Sequence, residues 1–110
     1  MPSHLPAQSI RVLLVEDDPD DQWLITDLLT RLDGTLCTVD VAGGMAQALE
    51  LLAEHRHDVA LIDYQLGAFS GLDLLHASAN DPARPPMILL TGYGTAELDR
   101  RALAAGAAIE

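Results

Sequence analysis

Three apolar runs restrict what this chain can fold into: Ile10–Val15 (IRVLLV), Val59–Ile62 (VALI) and Met87–Leu90 (MILL). A strand with one solvated face alternates polar and apolar residues, whereas a nearly unbroken apolar run suits a strand covered on both faces. Such strands belong to parallel sheets, whose crossover helices lie on both sides. Each run ends abruptly at polar residues. Glu16, Asp17 and Asp18 follow the first, Asp63 follows the second and Thr91 the third. Open α/β sheets bind ligands at the carboxyl ends of their strands, so Asp63 is the first candidate for chemistry.

Helical patterns separate the runs. Pro19 suits the first turn of a helix, and Asp20 and Asp21 complement its dipole. Leu24, Ile25, Leu28, Leu29 and Leu32 recur at helical spacing, predicting a helix over 20–32 that Asp33-Gly34 ends, with Trp23 partly buried beside the stripe. Leu36–Val41 reads as another strand, Gly43-Gly44 as a turn, and Met45, Ala48, Leu49, Leu52 and Ala53 as the buried stripe of a helix through Glu54. Gly67–Gly71 is expected to be a loop leading to a helix over Leu72–Ala79, and the proline-rich NDPARPP a surface connection. Thr95 and Glu97 open a last helix to about Ala105, with Gly106 as its stop. Strand and helix thus alternate four times. With right-handed crossovers this predicts an α/β, flavodoxin-like, doubly wound parallel sheet of order 2-1-3-4, with residues 1–9 a flexible lead-in and 10–110 one domain.

Seventeen acids against six bases, all arginine, give a net charge of −11 over 110 residues. Such a surface repels phosphate backbones and anionic lipid, so no direct nucleic-acid or membrane binding is expected. Cys37 is the only cysteine, which excludes an internal disulfide and reads as a small buried side chain in a reducing compartment. No targeting segment or membrane span is evident, and a cytoplasmic chain is expected. His55 and His57 read as part of a solvated turn rather than a metal pair, while His4 and His76 have no supporting context.

In the order 2-1-3-4 the first and third strands are neighbours, which brings Glu16, Asp17 and Asp63 to one crevice. Like charges so close require a cation or a proton. Few ligands, all of them oxygen, point to Mg²⁺ that keeps several waters. Thr91, on the adjacent strand, would offer a hydroxyl to whatever sits on Asp63. Taken alone, Asp63 reads as a strand-end acid capping a backbone N–H; its conjunction with the other three residues is what favours chemistry.

Glu16-Asp17 in LLVEDD, Asp63 in LIDYQLG, Gly71 in SGLDLL and Thr91 in ILLTG together resemble the receiver domain of two-component response regulators over residues 10–106. The resemblance implies that Asp63 accepts a phosphoryl group from a histidine kinase or phosphotransfer protein, and that Thr91 contacts the phosphoryl oxygens and moves on switching. It also implies that Asp17, Asp63 and the backbone carbonyl of Gln65 hold Mg²⁺, with Glu16 acting through water. The signal would leave through a downstream effector or an appended output domain.

There are departures. The family's fifth-strand lysine and aromatic residue cannot be assigned, because the chain has no lysine and ends at Ile109-Glu110, where that strand should begin. The fifth strand and fifth helix are therefore expected to be absent, in a C-terminally incomplete receiver rather than a degenerate one. The fourth strand would then be an exposed edge that invites a homodimer. Gly67 stands where the family often has proline. Two other readings compete: a degenerate module for dimerisation or docking, and a small Mg²⁺-dependent phosphatase-like enzyme. The enzyme would want a second acid two residues after Asp63, where Gln65 cannot serve.

Overall fold

The computed structural model describes residues 8–90 and 107–109. In chain order the elements are β1 (Gln8–Val15), α1 (Pro19–Thr30), β2 (Thr35–Ala42), α2 (Met45–Leu52) and β3 (Val59–Asp63). There follow β4 (Gln65–Leu66), β5 (Phe69–Ser70), α3 (Gly71–Ala77), β6 (Met87–Leu90) and β7 (Ala107–Ile109). The main sheet has the order β2-β1-β3-β6-β7, and every neighbouring pair in it is parallel. Its first four strands are those of the expected order 2-1-3-4.

Period-two geometry decides which residues meet the helices. Leu13, Ala60 and Met87 are register partners across three strands, as are Val15, Ile62 and Leu89 two residues on, so these six share a face. Ala48 and Leu52 of α2 and Leu72, Leu74 and Leu75 of α3 close the core over that face. On the opposite face Val12 and Leu14 are buried, but Val59, Leu61, Ile88 and Leu90 are only half-buried. The face beneath α2 and α3 is thus fully covered, whereas on the opposite face full cover, as the apolar runs suggested, is reached only at Val12 and Leu14.

The difference lies in α1, which packs against the edge strand β2 and contributes no buried residue. Ile25 and Leu29 reach half-burial, whereas Leu24, Leu28 and Leu32 are exposed. Trp23 is 68% exposed, which corrects the expectation of a partly buried indole.

The fifth strand, expected to be absent, is present as the three residues of β7 beside β6. Backbone pairing decides this, since a run of Ala-Ala-Ile is too short and too small to announce a strand. The edge of β6 on which the homodimer was argued is therefore covered over Met87–Leu89, and the argument for dimerisation through it falls.

Polar contacts tie the opposite end of the sheet. Asp58 accepts from the Arg11 N–H at 2.8 Å and returns its own N–H to the Arg11 carbonyl at 2.8 Å. His55 meets Asp81 at 2.8 Å on the surface. His57 is not in a solvated turn: its side chain is 1% exposed, with Nε2 2.7 Å from Asp40 and Nδ1 buried without a partner. Its partner Asp40 lies on β2, a long-range contact that local sequence cannot show. Cys37 is buried and free, as expected.

Candidate functional site

The register that sets Val15 beside Ile62 determines where the acids go. Glu16 and Asp17 leave β1 at the level where Asp63 ends β3. Among the described residues these three are the only acid, His or Cys cluster able to offer a metal ion three ligand atoms, all within 4.8 Å of one another. Glu16 is 3% exposed, Asp63 is half-buried and Asp17 is open to solvent. The expected convergence is observed.

Glu16 is held internally. Its Oε2 accepts the Asp17 N–H at 2.9 Å and the Asp18 N–H at 3.4 Å, and its own N–H reaches the Ala42 carbonyl at 3.0 Å. Burial raises its pKa to about 7; the backbone N–H of Asp18 opposes the rise, while the charge of Asp63 and hydrogen bonding with Asp63 and Asp17 add to it. Near neutrality the cluster therefore sits between keeping a proton and carrying a further negative charge. Either a proton or a cation relieves it. Asp18 is the N-cap of α1, its carboxylate accepting the Asp20 and Asp21 N–H groups.

Beyond Asp63 the expected loop is a hairpin of β4 and β5. Gly67 opens its two-residue turn with φ +70, a left-handed conformation that glycine adopts without steric cost and that proline, locked near −65°, cannot. A Cβ at Gly67 would lie 3.3 Å from Asp17 Oδ2, so the hairpin tip comes up against the acid. The difference from the family's proline is therefore one of backbone shape. Ser70 then starts α3 with a capping box: its hydroxyl accepts the Asp73 N–H, and Asp73 accepts the Ser70 N–H at 2.9 Å.

Gly71 has a steric reason. A Cβ there would fall 2.5 Å from Leu89 Cδ1 and 2.8 Å from the Asp63 carbonyl oxygen. Without it, α3 can begin directly behind the acid, with the Gly71 N–H on the Tyr64 carbonyl at 2.7 Å. These walls enclose an open cleft of about 680 Å³ that includes Glu16, Asp17, Asp63 and Gln65. Asp21, Phe69 and Asp73 also line it. Sequence reading had not assigned them to the site, although the Ser70/Asp73 spacing is itself a capping signal that marks where α3 turns back. Thr91, expected here, lies outside the described residues.

Residues 12–109 match the family described as the response regulator receiver domain. The chain belongs to that family. This receiver is 30% identical over 103 residues to a probable chemotaxis protein CheY of Rhizobium etli, covering 92% of this chain and 78% of that protein. It is 35% identical over 98 residues to the two-component response regulator PhoP of Pseudomonas aeruginosa, covering 89% of this chain but 42% of PhoP. Among solved structures it resembles the BeF3-activated receiver domain of Klebsiella pneumoniae RstA, with a TM-score of 0.76 and 27% identity over 90% of this chain and 81% of that one. Family and fold thus agree with the sequence reading. The phosphatase-like and docking-only alternatives are not favoured.

The receiver's donor set fits a hard divalent cation. Three carboxylates at the mouth of a polar cleft supply only oxygen, one of them is driven toward a proton by burial and, secondarily, by its acidic neighbours, and the cleft leaves room for water. Among the described residues no helix is long and apolar enough to cross a membrane.

Proposed function

We propose that Asp63 accepts a phosphoryl group from a histidine kinase or phosphotransfer protein in Mg²⁺-dependent phosphorelay signalling. The observation that carries the proposal is the meeting of the Glu16, Asp17 and Asp63 carboxylates within 4.8 Å at the tips of β1 and β3. Asp63 supplies the attacking carboxylate oxygen. Its half-exposed position on the cleft lets a donor approach in line, and the backbone that follows it is tied to the start of α3 by the Gly71 N–H on the Tyr64 carbonyl. Asp17, Asp63 and the Gln65 backbone carbonyl would hold Mg²⁺, with Glu16 joining through water. Bound there, the ion offsets charge on the transferring phosphoryl. Thr91 is assigned the hydroxyl contact that reports phosphorylation.

The chain acts in this reading as a cytoplasmic switch and not as a turnover enzyme, its own chemistry being Mg²⁺-assisted phosphorylation and dephosphorylation. Its output passes to an effector or an appended output domain. The test is binding of beryllofluoride, a phosphoryl mimic, in the presence of Mg²⁺. Saturable binding by the native chain that is lost in Asp63→Asn supports the reading. Equal binding by both, or none by the native chain, contradicts it.

A further inference from the structure

The Glu16-Asp17 peptide carries Asp17 into the cleft, and its orientation decides where that carboxylate points. Two side chains hold it. Glu16 Oε2 accepts its N–H at 2.9 Å, and Gln22 Nε2 donates to its carbonyl oxygen, Glu16 O, at 2.6 Å. Gln22 sits one turn into α1, where its own N–H bonds the Asp18 carbonyl at 2.9 Å. A carbonyl can only accept, so the Gln22 amide must present its NH₂ there. Among the described residues no strand neighbour supplies the bond: the Glu16 N–H reaches β2 through Ala42, while its carbonyl is met by the helix.

The two holders differ in kind. Glu16 belongs to the acidic cluster, and a carboxylate that turns toward a cation or its water loosens its grip on the Asp17 N–H. Gln22 is uncharged and outside the cluster, so its grip survives that change. We propose that Gln22 is a positioning residue for the metal centre, clamping the Glu16-Asp17 peptide from α1 so that the Asp17 carboxylate stays aimed at Asp63 while Glu16 rearranges. This inference rests on the reading of the cleft as a Mg²⁺ site.

The experiment compares the native chain with Gln22→Met, which keeps the length but not the donor, and Gln22→Asn, which keeps the amide but is one methylene too short. Mg²⁺ is titrated against the backbone amide signals of Asp17 and Asp63. Without metal, the Glu16 carbonyl ¹³C shift and Asp17 amide exchange are recorded, with the Val12 and Leu14 amides as a check on the sheet. Both variants should weaken Mg²⁺ binding about five-fold, the equivalent of about 1 kcal/mol. Both should also move the Glu16 carbonyl signal and speed Asp17 exchange, while Val12 and Leu14 stay unchanged. Native-like Mg²⁺ affinity in both variants overturns the inference, whether or not the melting temperature falls. Weakened binding accompanied by shifts throughout the sheet overturns it as well, since that is a general loosening. A native chain whose Asp17 and Asp63 signals ignore Mg²⁺ instead overturns the metal reading, and the inference with it.

Discussion

Glu16→Gln isolates charge from shape in the acidic cluster, because glutamine can still accept the Asp17 and Asp18 N–H groups that Glu16 Oε2 now holds. The folded-state pKa of Glu16 is raised from 4.5 to about 7. For an acid shifted upward, the contribution to stability is fully present below the unfolded value and is lost as pH rises through the folded one. Between pH 4.5 and about 7 the metal-free native protein therefore loses stability that the variant keeps. A rise from 4.5 to about 7 corresponds to roughly 3 kcal/mol by pH 8, and to under about 1 kcal/mol at pH 5. For a domain of this size that is roughly 10 °C in Tm at pH 8. Thermal melts of both proteins in chelator at pH 5 and pH 8 are the assay. The variant should melt well above the native protein at pH 8 and close to it at pH 5. Added Mg²⁺ should raise the native Tm more at pH 8 than at pH 5, and should narrow the gap to the variant. A Tm difference that is the same at both pH values would refute the assignment of the strain to ionised Glu16.

Other substitutions test the walls of the site and the far end of the sheet. Gly71→Ala should destabilise by about 1–3 kcal/mol in urea unfolding, since its Cβ would press on Leu89 and the Asp63 carbonyl, and a neutral result would mean α3 can slide outward at no cost. Gly67→Ala should cost about 1–2 kcal/mol for its left-handed backbone and also weaken Mg²⁺ binding by crowding Asp17, as isothermal titration would show; unchanged stability and affinity would remove the hairpin tip from the site. Asp40→Ala leaves the buried His57 ring with neither nitrogen bonded and should cost about 1–3 kcal/mol, whereas Arg56→Ala, removing an exposed partner of the same carboxylate, should cost under about 1 kcal/mol. Equal losses would show that the His57 contact carries no special weight.

What sequence revealed follows from what is local in the fold. Unbroken apolar runs gave β1, β3 and β6, and the acids that stop those runs gave the cleft, because strand ends and site residues coincide in a parallel sheet. Elements of two or three residues were not legible: β4, β5 and β7 are too short to show a period, and only pairing defines them. Burial also escaped. The stripe on α1 identifies a helix but cannot say how much of it an edge strand covers, so Trp23 was misplaced, and the His57 side chain is enclosed through a tertiary contact with Asp40. Gln22 carried no signal, since its bond to Glu16 O depends on how α1 leaves the strand tip. Gly67 could be seen to depart from the family's proline, but the positive φ that explains the departure belongs to the hairpin.

Phosphoryl transfer to Asp63 is tested most directly by incubating the chain with acetyl phosphate, with and without Mg²⁺, and following intact mass and then the site of modification after borohydride trapping. Addition of a single phosphoryl group that requires Mg²⁺, maps to Asp63 and vanishes in Asp63→Asn is the predicted outcome. No addition, or an addition that persists in Asp63→Asn or maps to another residue, would contradict it.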